Sequence, residues 1–226
     1  MTVQLQPPVT SVFFDFDGVI CDSVNVKTEA FDRLYRDYDD DIRRMVREYH
    51  LHHGGISRYE KIRHYEAVIQ GRPADEKAIE KKAGQFAELV VDAVVDSPFI
   101  AGAEQALERL KGVCPLFVVS GTPQDELRTI VERRRLSGIF DGVYGSPATK
   151  SAILEVLLTE NDLDRRSAAM IGDAITDFDA AMDNEVPFVG VVGAGHPSPF
   201  PPGTLIIEDL TMLPEILTGS VADKKL

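Results

Sequence analysis

The sequence of 226 residues lacks tryptophan, is poor in cysteine and contains no long hydrophobic run. Its two cysteines, Cys21 and Cys114, form no Cys-x-x-Cys pair, which argues against a zinc site. Buried free thiols are typical of a reducing compartment. No apolar stretch approaches the roughly 20 residues of a membrane-spanning helix, and residues 1–10 lack the basic and apolar regions of a signal peptide. We therefore expect a soluble, cytoplasmic protein without a membrane partner.

An excess of positive charge is also missing. The chain has 24 lysines and arginines against 37 aspartates and glutamates, which gives a formal net charge of −13. Nucleic-acid binding would then require a local basic surface. The densest basic runs, residues 42–49 and 132–135, lie among acidic residues in a helical pattern, which favours solvated helix faces. We expect no nucleic-acid partner.

Short apolar segments recur along the chain, and most are followed by a turn signal and a helical pattern. Six predicted strands cover residues 12–16, 115–120, 142–145, 168–173, 187–192 and 204–209. Helical patterns follow the later strands at 125–136, 150–163 and 176–184. Strands that alternate with helices predict an α/β fold whose Rossmann-like parallel sheet is covered on both faces.

The interval between the first two strands is much longer than a crossover connection needs. It contains four helical patterns, at 27–38, 42–53, 57–70 and 75–95, and almost no strand signal. We predict that residues 24–97 form an inserted helical domain. Residues 1–23 and 98–226 then form the α/β core domain, with hinges near Gly18 and Pro98.

Polar residues stand at the predicted strand ends. Asp15 and Asp17 end the first strand, where buried carboxylates cost several kcal/mol unless they are paired or bind a metal. Other strand ends supply Ser120, Gly121 and Thr122, then Lys150, then Asp173 and Asp177. Because the carboxyl ends of parallel strands share one edge of the sheet, we expect these groups to meet there. Asp22 and Ser23 are expected only to cap the next helix.

The stretches DFDGVICDS (15–23), VVSGT (118–122) and GDAITD (172–177), together with Lys150, resemble the four motifs of the haloacid dehalogenase-like (HAD) hydrolase superfamily, in the same order. The helical insertion resembles that superfamily's helical cap. Within the superfamily, the chain is similar to phosphatases of the phosphoglycolate phosphatase and β-phosphoglucomutase type. The resemblance covers nearly the whole chain.

This resemblance implies a Mg²⁺-dependent phosphatase that works through an aspartyl-phosphate. Asp15 would be the nucleophile, and Asp17 would give a proton to the leaving oxygen and later take one from water. Mg²⁺ would be held by Asp15, Asp173 and the backbone carbonyl of Asp17.

The remaining groups at the strand ends would support the phosphoryl group. Ser120 and Lys150 would bind its oxygens beside Gly121 and Thr122. For Asp177 two readings stay open: it supports Lys150 or the metal, or it is a first-turn aspartate that is stabilised by the helix dipole.

The segment HHGGISRYEKIRHYE (52–66) combines two glycines with a local basic cluster. Its GISR string resembles the cap loop of β-phosphoglucomutases, in which the arginine faces the active site. Gly55, Arg58 and Lys61 are therefore candidates for substrate binding. The alternative is a turn between two helices with solvated charges.

Several functions compete. Phosphosugar mutases carry a histidine twelve residues after the nucleophile, where this chain has Lys27, and tend to have Glu-Asp at the position of Gly172 and Asp173. A phosphonate hydrolase would need a cap lysine such as Lys27 or Lys61 to form a Schiff base. A dehalogenase needs no metal, and a non-enzymatic phospho-acceptor or binding module would not need the long helical insertion. We expect hydrolysis of a small phosphorylated metabolite (a sugar phosphate, sugar-acid phosphate or phosphoglycolate-like compound) by a monomer or homodimer.

Overall fold

A computed structural model describes residues 5, 6 and 8–219 of the chain. The segment 1–10, in which no signal peptide was found, lies partly outside the described residues. The outer ends of the predicted core domain, 1–23 and 98–226, do so as well. Within the described part, no helix has both the length and the apolar character required to cross a membrane.

Six parallel strands form one sheet in the order β3-β2-β1-β4-β5-β6. The strands are β1 (Ser11–Phe14), β2 (Leu116–Pro123), β3 (Gly142–Ser146), β4 (Ala168–Gly172), β5 (Phe188–Val191) and β6 (Leu205–Ile207). The chain adds strands to one side of β1 and then to the other. The crevice at this switch of direction, outside the carboxyl ends of the strands, is where such sheets bind ligands.

Helices cover both faces of the sheet: α5 (Ala103–Leu110), α6 (Gln124–Arg133), α7 (Lys150–Glu160), α8 (Ile175–Asp183) and α9 (Leu213–Thr218), with a 3₁₀ turn at Arg165–Ser167. Successive residues of β1 point to opposite faces. Phe14 belongs to the cluster that contains Leu107 of α5, whereas Phe13 packs with Leu154 of α7. A continuous apolar strand is thus buried on both sides, as expected for a parallel sheet.

Four helices occupy the chain between β1 and β2: α1 (Val24–Leu34), α2 (Asp40–His52), α3 (Arg58–Gln70) and α4 (Glu76–Asp96). We call this helical insertion the cap. The buried face of α4 repeats at helical spacing and consists of Ile79, Ala83, Phe86, Val90 and Val94. Phe86 meets Phe31 of α1 with ring centroids 4.1 Å apart. The predicted fold class, a Rossmann-like sheet with a helical insertion, is confirmed, while the domain boundaries stay a prediction.

The two segments that join cap and core run side by side. Cys21 and Phe99 form an antiparallel bridge, and the amide of Ile100 donates to the carbonyl of Ile20 at 3.0 Å. Burial raises the pKa of Cys21 to about 12, so its thiol stays protonated. Arg134, just after α6, donates to the carbonyl of Ser97, just after α4, at 2.7 Å. This pairing fixes where the cap leaves and re-enters the core.

The observed strands differ from the predicted ones by up to three residues at their ends, and two of these differences affect the candidate site. The first strand ends at Phe14, so Asp15 begins the loop that follows it. The second strand continues three residues beyond Ser120, to Pro123, because its pairing with β3 shifts register after Val119. The irregular pairing keeps Gly121 and Thr122 in extended backbone at the sheet edge.

Candidate active site

Asp15 lies at the carboxyl end of the central strand. Its backbone amide donates to the carbonyl of Ile171 on β4 at 2.9 Å, and its carboxylate Oδ1 accepts from the amide of Phe16 at 2.7 Å. The residue is only 3% exposed. Backbone contacts on both sides therefore hold this carboxylate in one orientation at the switch point of the sheet.

Lys150 is the first residue of α7 and is buried beside Asp15. Its Nζ lies 2.8 Å from Oδ2 of Asp15 and donates to Oδ1 of Asp177 at 2.6 Å. Burial alone would lower the pKa of Lys150, but the two carboxylates outweigh burial and raise that pKa above its ordinary value. The lysine is therefore a fixed positive charge between two elements of the core.

A cluster of carboxylates surrounds this lysine. Asp15, Asp173 and Asp177 each place one oxygen within 4.8 Å of the others. Burial, together with the charges of Asp15 and Asp177, raises the pKa of Asp173 well above its usual range. Burial also raises the pKa of Asp177 to about 7 against the opposing charge of Lys150. The cluster is short of positive charge, and its oxygen donors suit a hard divalent cation.

Asp177 has both carboxylate oxygens engaged by the protein. Oδ1 accepts from Lys150, and Oδ2 accepts from the amide of Ala174 at 3.1 Å. The residue lies in the first turn of α8 and also contacts Lys150, so its position fits both roles considered from the sequence: support of Lys150 and a first-turn aspartate. It is placed to orient Lys150 and the turn that carries Asp173.

Two motif glycines allow this close packing. Gly18 has a φ of +81° and lies so close to Asp173 that a methyl group there would overlap its carboxylate. A side chain at Gly172 would overlap Asp177 in the same way. Any larger residue at either position would push the carboxylates apart.

Asp17 is held by a separate set of partners. Its carboxylate accepts from Lys27, from the hydroxyl of Ser23 at 2.6 Å and from the hydroxyl of Thr122 at 3.2 Å. Burial alone would raise the pKa of Asp17, but Lys27 and the two hydroxyls outweigh it and hold that pKa below its usual value. The expectation that Ser23 only caps a helix was wrong. It occupies the N-cap position of α1 without a capping side-chain bond, because its hydroxyl is turned to Asp17.

The end of β2 meets the cap loop. Ser120 is buried, and its hydroxyl accepts from the amide of Thr122 at 3.2 Å. Gly121 lies against the carbonyl of Gly55, and a side chain at Gly121 would overlap that carbonyl. Thr176 donates to the carbonyl of Gly54 at 3.1 Å. The glycine loop of the cap is thus seated directly on the core.

Arg58 and Lys61 are both buried, so solvated charges do not describe them. The guanidinium of Arg58 donates to Glu126 of α6 and lies 4.6 Å from the ring centroid of Phe86. This ion pair joins the cap to the core. Nζ of Lys61 lies 2.7 Å from Nδ1 of His50 on the neighbouring cap helix.

A cavity of about 180 Å³ lies between cap and core. The predicted site residues that line it are Asp15, Asp17, Gly55, Arg58, Lys61, Ser120, Gly121, Thr122 and Asp173. Lys150 lies behind Asp15, where it lines a neighbouring cavity of about 190 Å³. The structure therefore brings the candidates from all four motifs and from the cap to one place.

Some residues of this cavity were not predicted to form a binding site. They are Val24, Phe31, His50, Leu51, Phe86, Ala174, Ile175 and Pro199. His52, Gly54 and Ile56 also line the cavity, and they belong to the cap segment 52–66 that the sequence singled out. Lys27 also lines the cavity, although the sequence suggested it only for competing functions. Phe31 and Phe86 lie within predicted helices, and no local pattern indicated that His50 would meet Lys61.

A sequence model of the haloacid dehalogenase-like hydrolases matches residues 12–191 of the chain. That range includes all four motifs and the whole helical insertion. A search of curated proteins returned no significant match.

Solved structures share the fold. A predicted phosphoglycolate phosphatase from Haemophilus somnus 129PT has a TM-score of 0.72 at 17% identity, with 93% of this chain and 99% of that chain covered. YfnB from Bacillus subtilis, assigned to the HAD hydrolases and bound to magnesium, has a TM-score of 0.69 at 17% identity, with 92% and 98% covered. CbbY from Rhodobacter sphaeroides, in complex with phosphate, has a TM-score of 0.69 at 15% identity, with 91% and 96% covered.

Proposed function

The chain belongs to the haloacid dehalogenase-like hydrolase family, as its motifs indicated, and on that premise we propose that it is a Mg²⁺-dependent phosphomonoesterase for a small phosphorylated metabolite. One observation carries the proposal. Asp15 is a buried carboxylate that is held by backbone contacts and Lys150, and it opens into the cavity between cap and core. This is the environment that a carboxylate nucleophile needs.

The carboxylate cluster fits Mg²⁺. We assign Asp15, Asp173 and the backbone carbonyl of Asp17 as the groups that would hold the ion, with Asp177 in support. Burial, and after it the negative charges of Asp15 and Asp177, raise the pKa of Asp173 well above its usual range despite the opposing charge of Lys150. When bound, Mg²⁺ would neutralise charge on the carboxylates and on the phosphoryl oxygens. Bound magnesium in YfnB and phosphate in CbbY support this assignment by analogy.

In the first step, a carboxylate oxygen of Asp15 attacks phosphorus, and the bond from phosphorus to the leaving oxygen breaks. Asp17 donates a proton to that oxygen, which leaves as an alcohol. Lys150 and Ser120 bind the phosphoryl oxygens, and Lys150 also pairs with the carboxylate of Asp15.

In the second step, water attacks phosphorus of the aspartyl-phosphate, Asp17 takes its proton, and the bond from Asp15 to phosphorus breaks. Asp17 is ionised when it is paired with Lys27, which is the protonation state that this step requires. For the first step it must gain a proton, so we assign Lys27 as the residue whose position controls Asp17.

We further propose that residues 24–97 act as a unit that covers the site and selects the leaving group. Gly55, Arg58 and Lys61 would be its contacts, beside Gly121 and Thr122 of the core. Hydrolysis is favoured over a phosphosugar mutase because Lys27, at the position of the mutase histidine, is paired with Asp17. We also propose that the protein is cytoplasmic, where its two cysteines stay reduced.

A phosphate-release screen tests this function. The purified protein is assayed against phosphorylated acids, sugars and nucleotides, with Mg²⁺ and with excess chelator. We expect Mg²⁺-dependent release from at least one class of small monoester. No release from any monoester, or full activity in chelator, would contradict the proposal.

A further inference from the structure

Lys61 of α3 has an unusual position in the cap wall of the cavity. It is 3% exposed, and its ammonium donates to Nδ1 of His50 at 2.7 Å and to the backbone carbonyl of His50 at 3.2 Å. An ammonium group has three N–H donors. His50 uses two of them, which leaves one donor for a ligand in the cavity.

No carboxylate of the described residues lies within 4.0 Å of this ammonium. The other cations around the two cavities are paired: Lys27 with Asp17, Arg58 with Glu126, and Lys150 with Asp15 and Asp177. A buried charge without a partner costs several kcal/mol. Lys61 is therefore the cation at this site that lacks an anion.

The pKa of Lys61 reflects the burial of its ammonium without a carboxylate partner. Burial and the charge of Lys27 lower the pKa of Lys61 to about 7. Burial and Lys61 lower the pKa of His50 to about 3, so the imidazole is neutral and can accept from the ammonium. An anion next to Lys61 would offset this penalty and stabilise its charged form.

Resting on the proposed phosphatase function, we infer that Lys61, oriented by His50, binds a carboxylate at the far end of the substrate, and that the natural substrate is a short phosphorylated carboxylic acid. The reacting end faces the core, where Asp15 lies. At the cap end, Lys61 lines the cavity and its Nζ lies over the ring of Phe31, 5.9 Å from its centroid. A carboxylate carries a single negative charge, which this one ammonium can balance, whereas a second phosphate group would carry about −1.5 to −2 at pH 7.

The size of the cavity supports a short substrate. At about 180 Å³, it is smaller than the roughly 300–1,000 Å³ of pockets for drug-sized ligands. Phe31 and Phe86 occupy the cap side of this space. A compact acid with its two charged groups a few bonds apart fits these walls better than a neutral hexose phosphate, whose hydroxyl groups need several polar partners.

The test compares phosphoglycolate with 2-hydroxyethyl phosphate, which replaces the carboxylate by a neutral hydroxymethyl group. In the wild type, kcat/KM should be at least about tenfold higher for the acid. Lys61→Met should reduce this preference by about ten- to a hundredfold, the range expected when one charged hydrogen bond is lost. Lys61→Arg should restore part of the preference. Lys81→Met, at an exposed lysine of the same cap, should leave it unchanged.

Binding separates this inference from the proposed function. Calorimetry in Mg²⁺ compares Asp15→Asn with the double variant that also carries Lys61→Met, and thermal unfolding confirms that both are folded. A preference of Asp15→Asn for phosphoglycolate that the double variant loses would support Lys61 even if no monoester were hydrolysed. Equal affinity for both compounds in Asp15→Asn, or an equal loss for both on adding Lys61→Met, would overturn the inference while leaving the phosphatase proposal intact.

Discussion

The core wall of the cavity gathers Asp15, Asp173 and Asp177 around Lys150, whereas the cap wall presents Lys61 with no carboxylate partner among the described residues. One wall lacks positive charge and the other lacks negative charge. A metal ion with a phosphoryl group would complete the first, and an anionic end of the substrate would complete the second. On the proposed function, the core performs the chemistry and the cap selects the molecule.

The largest expected effect on activity comes from a substitution in the core wall. Asp15→Asn removes the nucleophile but keeps the size of the side chain, so kcat should fall by more than about a thousandfold. Asp179→Asn, at an exposed position on α8, is the matched control and should retain wild-type activity. Substantial phosphate release by the Asp15 variant would rule out a covalent role for this residue.

Removal of the cation tests the charge imbalance of the core wall. Excess chelator should abolish phosphate release and lower the melting temperature, because an ion that binds only the folded state stabilises it, by about 2.7 kcal/mol at a concentration of 100 Kd. Asp173→Asn should weaken the response of the melting temperature to Mg²⁺. If Mg²⁺ stabilised Asp173→Asn as much as the wild type, the ion would bind elsewhere.

An intermediate effect is expected at the junction of the two walls. Arg58→Ala should lower kcat/KM for the natural substrate by about one to two orders of magnitude relative to a small aryl phosphate, since a bond to a charged group contributes about 1.5–3 kcal/mol. Glu126→Gln separates two origins of this loss, because Arg58 donates to Glu126. If Arg58 contacts substrate, Glu126→Gln should retain the preference, and an equal loss in both variants would show that Arg58 acts by holding the cap on the core.

The smallest expected effect is the contribution of Lys61 to the free energy of unfolding. Folding lowers the pKa of Lys61 from 10.5 to about 7, through burial, Lys27 and Lys150, with Asp17 and Asp173 in partial opposition. Between these pH values the unfolded chain binds more protons, so wild-type stability rises with pH in this window. Lys61→Met lacks this titration.

The advantage of Lys61→Met over the wild type should therefore be greatest near pH 7, at a few kcal/mol at most, and should vanish towards about pH 10.5. Urea unfolding at a series of pH values measures it. His50 stays neutral throughout this range because burial lowers its pKa to about 3. A difference that does not change with pH would mean that Lys61 is not a desolvated cation in the free protein.

The core wall could be predicted from the sequence because its groups lie at or shortly after strand ends. Asp15 and Asp173 directly follow strands, and Lys150 and Asp177 lie in the first turns of the helices that come next. The apolar run before Asp15, and those before Ser120 and Asp173, indicated parallel strands, and parallel strands bring their carboxyl ends to one edge. Gly18 follows Asp17 at a backbone position with a φ of +81°, which favours glycine. Local pattern and tertiary position therefore agree in this half of the site.

The cap wall could not be predicted in the same way. Lys61 meets His50 across two helices, and Arg58 meets Glu126 across 68 residues of chain, and neither pairing leaves a periodic signal. Ser23 was misjudged because a serine before a helix usually caps it, whereas here the buried Asp17 is the stronger acceptor for its hydroxyl. The orientation of Lys61, Arg58 and Ser23 depends on partners in other parts of the fold, which a local sequence pattern does not reveal.

The central claim is that Asp15 carries the phosphoryl group during turnover. The most direct measurement uses Asp17→Asn, which should complete the first step with nitrophenyl phosphate, a substrate with a good leaving group, and stall before the second. Borohydride reduction after an acid quench converts an aspartyl-phosphate to homoserine, which peptide mass spectrometry can locate. We predict homoserine at position 15, in an amount that matches the nitrophenol released. Nitrophenol release with an unmodified Asp15 would contradict the account.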